Sequence, residues 1–136
     1  MKASAVYERH PGRLVLGGDT IVVLGERILG QPRDREEAEG FLRELAGRPH
    51  RVLSALCICG PDGLRGGTCE THVTFRPSSE PLLQRYLESR EWRGRAGAYA
   101  IQGLGSCLIE RVEGDFSNVV GLPVPLLLDL APELLS

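Results

Sequence analysis

Leu14-Val15-Leu16-Gly17-Gly18-Asp19-Thr20-Ile21-Val22-Val23 decides how this chain is read. Around the glycines, Val15, Leu16, Ile21, Val22 and Val23 have the composition of a buried strand inside an α/β sheet, where an unpaired carboxylate is costly. Asp19 therefore needs a partner or a task. Gly17 and Gly18 let backbone or ligand come close at that point, which makes Asp19 a carboxylate facing a cleft. The alternative is a turn, with Gly-Gly-Asp joining two short strands and Asp19 bonding its own backbone. These residues alone weigh equally for both.

Outward from this stretch, helix and strand signals alternate as in an α+β or α/β domain. Asp34 and Glu37 form an Asp-x-x-Glu start, after which Ala38, Phe41, Leu42 and Leu45 fall on one helical face until Gly47 closes it. Val52 to Cys59 and Thr68 to Phe75 are β-rich arms of a hairpin with a longish turn at Gly60, Pro61, Asp62 and Gly63. Ser78 or Ser79 caps a second helix, with Leu82, Leu83, Tyr86 and Leu87 as its buried stripe. A glycine-rich passage leads to a strand at Cys107 to Val112. A loop or short helix follows over Gly114 to Pro123, and a terminal helix over Leu126 to Leu135. No repeat or linker divides the chain, so residues 1–136 are expected to form a single domain.

Composition narrows the function classes. At 136 residues, 42% hydrophobic and 25% charged, the chain can build one core. A net charge of -2 from interspersed acids and bases gives no field for a nucleic-acid polymer. No apolar stretch approaches the ~20 residues of a membrane span, and Met1 to His10 lacks a signal-peptide segment, so a cytoplasmic protein that does not engage a membrane is expected. Cys57, Cys59, Cys69 and Cys107 match neither a zinc spacing nor a disulfide framework and are read as buried thiols.

Three further stretches carry chemistry beside Asp19. Ala96-Gly97-Ala98-Tyr99-Ala100-Ile101-Gln102-Gly103-Leu104-Gly105 sets the amide of Gln102 amid small residues, where it can read the edge of a flat ligand. Glu113 to Pro123 ends a strand and opens a helix, where polar groups and free N–H groups face a pocket; the competing reading is a helix cap by Ser117 or Asn118. Lys2 is by default a solvated surface lysine.

Taken in order, these residues resemble the Maf family of nucleoside triphosphate pyrophosphatases. The resemblance rests on Lys2-Ala3, Gly18-Asp19-Thr20-Ile21-Val22, Glu37-Ala38, Leu45-Ala46-Gly47-Arg48-Pro49-His50, Thr74-Phe75-Arg76, Ala96 to Gly105 and Glu113 to Pro123. It implies a Maf-type α/β fold related to the inosine triphosphatase fold, with a mixed sheet flanked by helices around a nucleotide cleft. It also implies a reaction, in which a nucleoside triphosphate and water give the monophosphate and pyrophosphate with help from a divalent metal, Mg²⁺ or Mn²⁺. Carried over by motif, Asp19 is the catalytic base and lies at the metal, Thr20 and Gln102 set base specificity, and Lys2 and Arg95 lie near the phosphates. The Ile101-Gln102-Gly103 form looks like the branch acting on dTTP and UTP.

Departures from the family pattern are equally specific. The family opens with a strand and a Ser-x-Ser-Pro-Arg-Arg phosphate loop, followed by an acid of the metal site; the matching sequence here starts after them. The domain is accordingly read as N-terminally truncated. Gln31, a substrate-binding position, stands in Gln31-Pro32 where the family has Lys-Pro, and Gly94 replaces the acid of an Asp-Lys-Ala-Gly motif, here Gly94-Arg95-Ala96-Gly97. Two functions follow: a dTTP/UTP pyrophosphatase, or a catalytically impaired nucleotide-binding or regulatory protein tied to septum formation. Lost sheet pairing would expose an edge strand and favour a homodimer.

Overall fold

The computed structural model describes residues 14–77 and 79–135. Strand β1, Val15–Leu24, runs unbroken through both glycines, pairing Gly17 with Cys57, Gly18 with Leu56 and Asp19 with Ala55 of strand β3, Pro49–Gly60. Ladder pairing across the glycines removes the turn reading. Strand β2, Arg27–Leu29, folds back on the end of β1, and β4, Gly63–Phe75, and β5, Ile109–Glu113, complete a sheet in the order β2-β1-β3-β4-β5. All of these described pairs are antiparallel.

Helix α1, Arg35–Leu45, starts as its sequence predicts, the Asp34 carboxylate accepting from Glu37 N at 2.8 Å. The Glu37 side chain accepts from Arg33 N, one residue beyond the reciprocal partner of a capping box. Helix α2, Glu80–Ser89, begins after Ser79 without a side-chain cap, so docking rather than capping holds it. Both helices cover one face of the sheet: Phe41, Leu42, Leu45, Leu83 and Tyr86 meet Val22, Val52, Val73 and Phe75. Each such side chain taken out of water contributes about 2 kcal/mol before entropy is counted, enough to fix the sheet beneath the helices.

Several boundaries differ from expectation for identifiable reasons. β1 is buried only at its far end, Val22 and Val23, whereas Leu16 is 46% exposed and Asp19 is exposed. The hairpin turn is two residues, Pro61 and Asp62, between paired Gly60 and Gly63, because the apolar Leu56, Cys57 and Ile58 give residues 65–67 a ladder to join. Gly67 also leaves room for helix α4, Val124–Leu130, since a Cβ there would come within 2.9 Å of the Leu126 side chain. The terminal helix breaks at Ala131, before Pro132, and a 3₁₀ turn follows over Pro132–Leu135. Gly103–Leu108 forms a 3₁₀ helix, which delays β5 to Ile109. Only Cys57 and Cys59 are buried thiols; Cys69 is half-buried and Cys107 exposed, lying in that 3₁₀ helix rather than on a strand.

Candidate active site

On β1 the side chains of Thr20 and Val22, and the bare backbone position of Gly18, fall on the face that bears the helices, and Asp19 stands between them at an exposed lip. Thr20 is cross-strand from Ser54, and their hydroxyls are hydrogen-bonded at 2.8 Å. Above this face the chain leaves α2 and passes through Gly94-Arg95-Ala96. Gly97 and Ala98, both at φ 70°, then turn the backbone so that Tyr99 re-enters the core. A side chain at Gly97 would lie 3.0 Å from Val22, so glycine lets this loop rest directly on β1. The opposite wall comes from the end of helix α3, Phe116–Val120, and the turn at Gly121.

Together these elements enclose an open cleft of about 400 Å³, whose lining includes Asp19, Thr20, Gln31, Ser54, Arg95 and Tyr99. Four expected site residues, Asp19, Thr20, Gln31 and Arg95, thus share one cavity although 76 positions separate Asp19 from Arg95 (95 − 19). Asp19 Oδ1 accepts from the Thr20 N–H at 2.9 Å, and its other oxygen receives no hydrogen bond among the described residues. Arg95 is exposed and forms no ion pair among them. The cleft therefore offers one carboxylate, one guanidinium, the Gln31 amide, the Tyr99 phenol and two coupled hydroxyls on a lining that is otherwise small or apolar.

Gln102 is exposed and lies outside the lining of the cleft. The cause is the alternation of an extended segment: Tyr99 and Ile101 are buried as its anchors, which leaves Gln102 outward just before the Gly103 turn. Lys2 lies outside the described residues. In Glu113 to Pro123 the cap is neither Ser117 nor Asn118 but Asp115, which accepts from Ser117 N at 2.8 Å and Ser117 Oγ at 2.6 Å. Asn118 is fully buried and donates to Val52 O at 3.0 Å and Thr71 Oγ1 at 3.1 Å, pinning α3 to β3 and β4. Its polar groups hold a wall in place; Val120, Gly121 and Leu122 are what face the cavity.

Two features were missed in the sequence. Ser54 is 3% exposed and forms part of the lining, and its signal was available as the lone hydroxyl in Val52-Leu53-Ser54-Ala55-Leu56 once the register with Thr20 is known. Behind the cleft, His50 Nε2 is hydrogen-bonded to the Tyr99 hydroxyl at 2.6 Å, and the Phe75 ring meets both edge-on. Burial lowers the His50 pKa from 6.5 to about 4 and raises that of the Tyr99 phenol. Both rings are neutral at pH 7, so this cluster braces the floor without adding charge.

Among the described residues no three acidic, histidine or cysteine side chains cluster as a metal site. Mg²⁺ ordinarily takes one or two protein carboxylates and completes its shell with water and substrate phosphates. Asp19, with one oxygen unengaged among the described residues, meets the lower of those requirements.

The family description "Maf-like protein" matches residues 1–134. The chain is 43% identical over 129 residues to the dTTP/UTP pyrophosphatase of Pyrococcus abyssi, covering 95% of this chain and 69% of that protein. To the dTTP/UTP pyrophosphatase of Deinococcus radiodurans it is 44% identical over 130 residues, 96% of this chain and 67% of the relative. The protein of the same name from Symbiobacterium thermophilum is 47% identical over 123 residues, 90% and 63% of the two chains. The sequence therefore spans about two thirds of the length of these relatives. With the family description and these relatives covering almost the whole chain, the chain belongs to the Maf family.

Proposed function

We propose that this chain is a nucleoside triphosphate pyrophosphatase acting on dTTP and UTP. The observation that carries the proposal is the convergence of Asp19, Thr20, Gln31 and Arg95 on one cleft, in a chain whose relatives bear that enzyme's name. Water and the triphosphate give the monophosphate and pyrophosphate, so the bond broken is the phosphoanhydride between the α- and β-phosphorus. Asp19, exposed at the lip with one oxygen unengaged, takes the proton of the attacking water. Arg95 offsets charge on the phosphates, and Gln31 supplies an amide donor where a lysine would supply a full charge. The Thr20–Ser54 hydroxyl pair orients the base by a hydrogen bond. Asp19 would hold a divalent cation there, which would supply charge neutralisation on the phosphates beyond that of Arg95. A cytoplasmic setting suits such a substrate, and none of the described helices is long and apolar enough to cross a membrane.

A second reading, nucleotide binding without turnover, is favoured by one observation: Asp19 is the only carboxylate lining the cleft among the described residues. Pyrophosphate release from dTTP, UTP, ATP and GTP with Mg²⁺ or Mn²⁺ separates the two. Metal-dependent release favouring dTTP and UTP is expected. Binding of dTTP without release would leave the second reading, and neither binding nor release would remove both.

A further inference from the structure

A second and larger depression, about 710 Å³, adjoins the nucleotide cleft and shares Gly94 with it. Its walls carry four guanidinium groups, those of Arg33, Arg35, Arg90 and Arg93, against the carboxylates of Asp34 and Glu88. Asp34 is already engaged by the Glu37 N–H, Arg33 pairs with Glu37 at 2.8 Å, and Arg35 donates to Gln84 at 3.0 Å. Arg90 and Arg93 form no ion pair among the described residues. The groove thus holds a surplus of positive charge that this part of the protein does not spend on itself.

Two details concern Arg90 and Arg93. Arg90 occupies the left-handed position that ends α2, φ 63°, where glycine is the usual residue. Arg93 lies over the ring of Trp92, its Cζ 5.7 Å from the ring centroid, and Trp92 itself lines the groove with its indole N–H bonded to Leu87 O at 2.9 Å. A guanidinium resting on a fixed indole loses less freedom when it meets an anion. Trp92 and Arg93 precede Gly94 and Arg95, so the groove begins where the Arg95 side of the cleft ends.

We propose that this arginine groove binds a phosphoanhydride chain. The inference rests on the nucleotide reading of the adjacent cleft and assigns Arg90 and Arg93 as its anion-binding residues. The linked phosphates of such a chain match several neighbouring guanidiniums better than a single phosphate does. The chain comes either from the tail of a nucleotide seated in the cleft or from free pyrophosphate.

Inorganic pyrophosphate titrated into the full chain tests this by calorimetry and by fluorescence of Trp92, the chain's single tryptophan. Saturable binding is expected, weakened at least tenfold in Arg90→Gly/Arg93→Gln. Glycine suits the backbone at 90, and Arg93→Gln alone decides if the double variant melts early. Displacement of pyrophosphate by dTTP, with dTTP but not dTMP weakened in the variant, identifies the nucleotide tail; simultaneous binding of the two identifies free pyrophosphate. Equal pyrophosphate affinity in wild type and variant, or dTTP binding without pyrophosphate binding, overturns the groove and leaves the nucleotide reading standing. Pyrophosphate binding without dTTP binding overturns the nucleotide reading instead.

Discussion

The two ends of β1 share one ladder and differ in what their side chains are for. At the far end Val22 and Val23 are buried, and Val22 packs under Gly97 and among the residues of α1 and α2. At the near end Leu16 and Asp19 are exposed, Gly18 presents bare backbone, and Thr20 is bonded to Ser54 across the strand. Hydrogen bonding between strands is continuous over both, so the sheet itself does not distinguish them. Burial does. The core end spends its apolar surface on stability, and the cleft end leaves polar atoms free at little cost because water reaches them.

The sharpest way to break that contrast is to change charge at the cleft end. Asp19→Asn keeps shape and removes the group that takes a proton, so turnover is expected to fall ~10²-fold or more, the ordinary worth of a positioned general base. The melting temperature should hold, because Asp19 is exposed and the amide oxygen can still accept from Thr20 N. Steady-state rates and a thermal melt on the same preparation check both halves. Full activity in Asp19→Asn would leave it a strand residue only.

At the core end the largest expected effect is one of pH. Burial lowers the His50 pKa to about 4, so the folded protein refuses a proton that the unfolded chain takes up near its ordinary 6.5. Stability is therefore fully present above pH 6.5 and falls as pH drops toward 4, by about 3 kcal/mol for this group. Denaturant midpoints at pH 7 and pH 4.5 would show the fall, and His50→Gln should reduce it. An unchanged pH profile in the variant would mean that other groups carry the acid sensitivity.

Val22→Ala tests packing on the same strand. Two methyl groups leave the contact with Gly97 and the helices, at a cost of about 2 kcal/mol. Unfolding should report this in full, while nucleotide affinity measured below the onset of melting should change less than twofold, although Val22 also lines the cleft. Equal damage to binding and stability would show that the two ends of β1 are not separable.

How much of this was legible depended on which force set each residue's place. The α1 cap at Asp34 and the apolar stripes of both main helices follow from periodicity and local bonding and stand as read, whereas the strand through Val22 was one of two open readings and is decided by its ladder to β3. The extended reach of β4 through Gly66 and Gly67 was hidden, because a glycine pair reads as loop until the partner Leu56-Cys57 is known. Site residues divide in the same way. Asp19, Thr20, Gln31 and Arg95 meet in one cleft, whereas Ser54 and the His50–Tyr99 brace depend on register and side-chain packing between distant segments. Asp115 took the capping role from Ser117 and Asn118 because Asn118 is needed at the sheet, a demand that spacing along the chain does not reveal.

The smallest expected effect concerns base choice, where motif and structure part company. By motif Gln102 and Thr20 read the base together; in the structure Thr20 lines the cleft with Ser54 while Gln102 is exposed beyond Ile101. Thr20→Val deletes one hydrogen-bonding hydroxyl and leaves Ser54 without its partner, so the preference for dTTP and UTP over ATP and GTP should shrink by about 1 kcal/mol. Gln102→Ala removes a solvated amide and should change that preference less than twofold. Calorimetric affinities for the four nucleotides in both variants make the test. If Gln102→Ala flattens the preference and Thr20→Val does not, the segment after Tyr99 must swing over the cleft when a nucleotide binds, and the contrast drawn along β1 would then describe the empty protein alone.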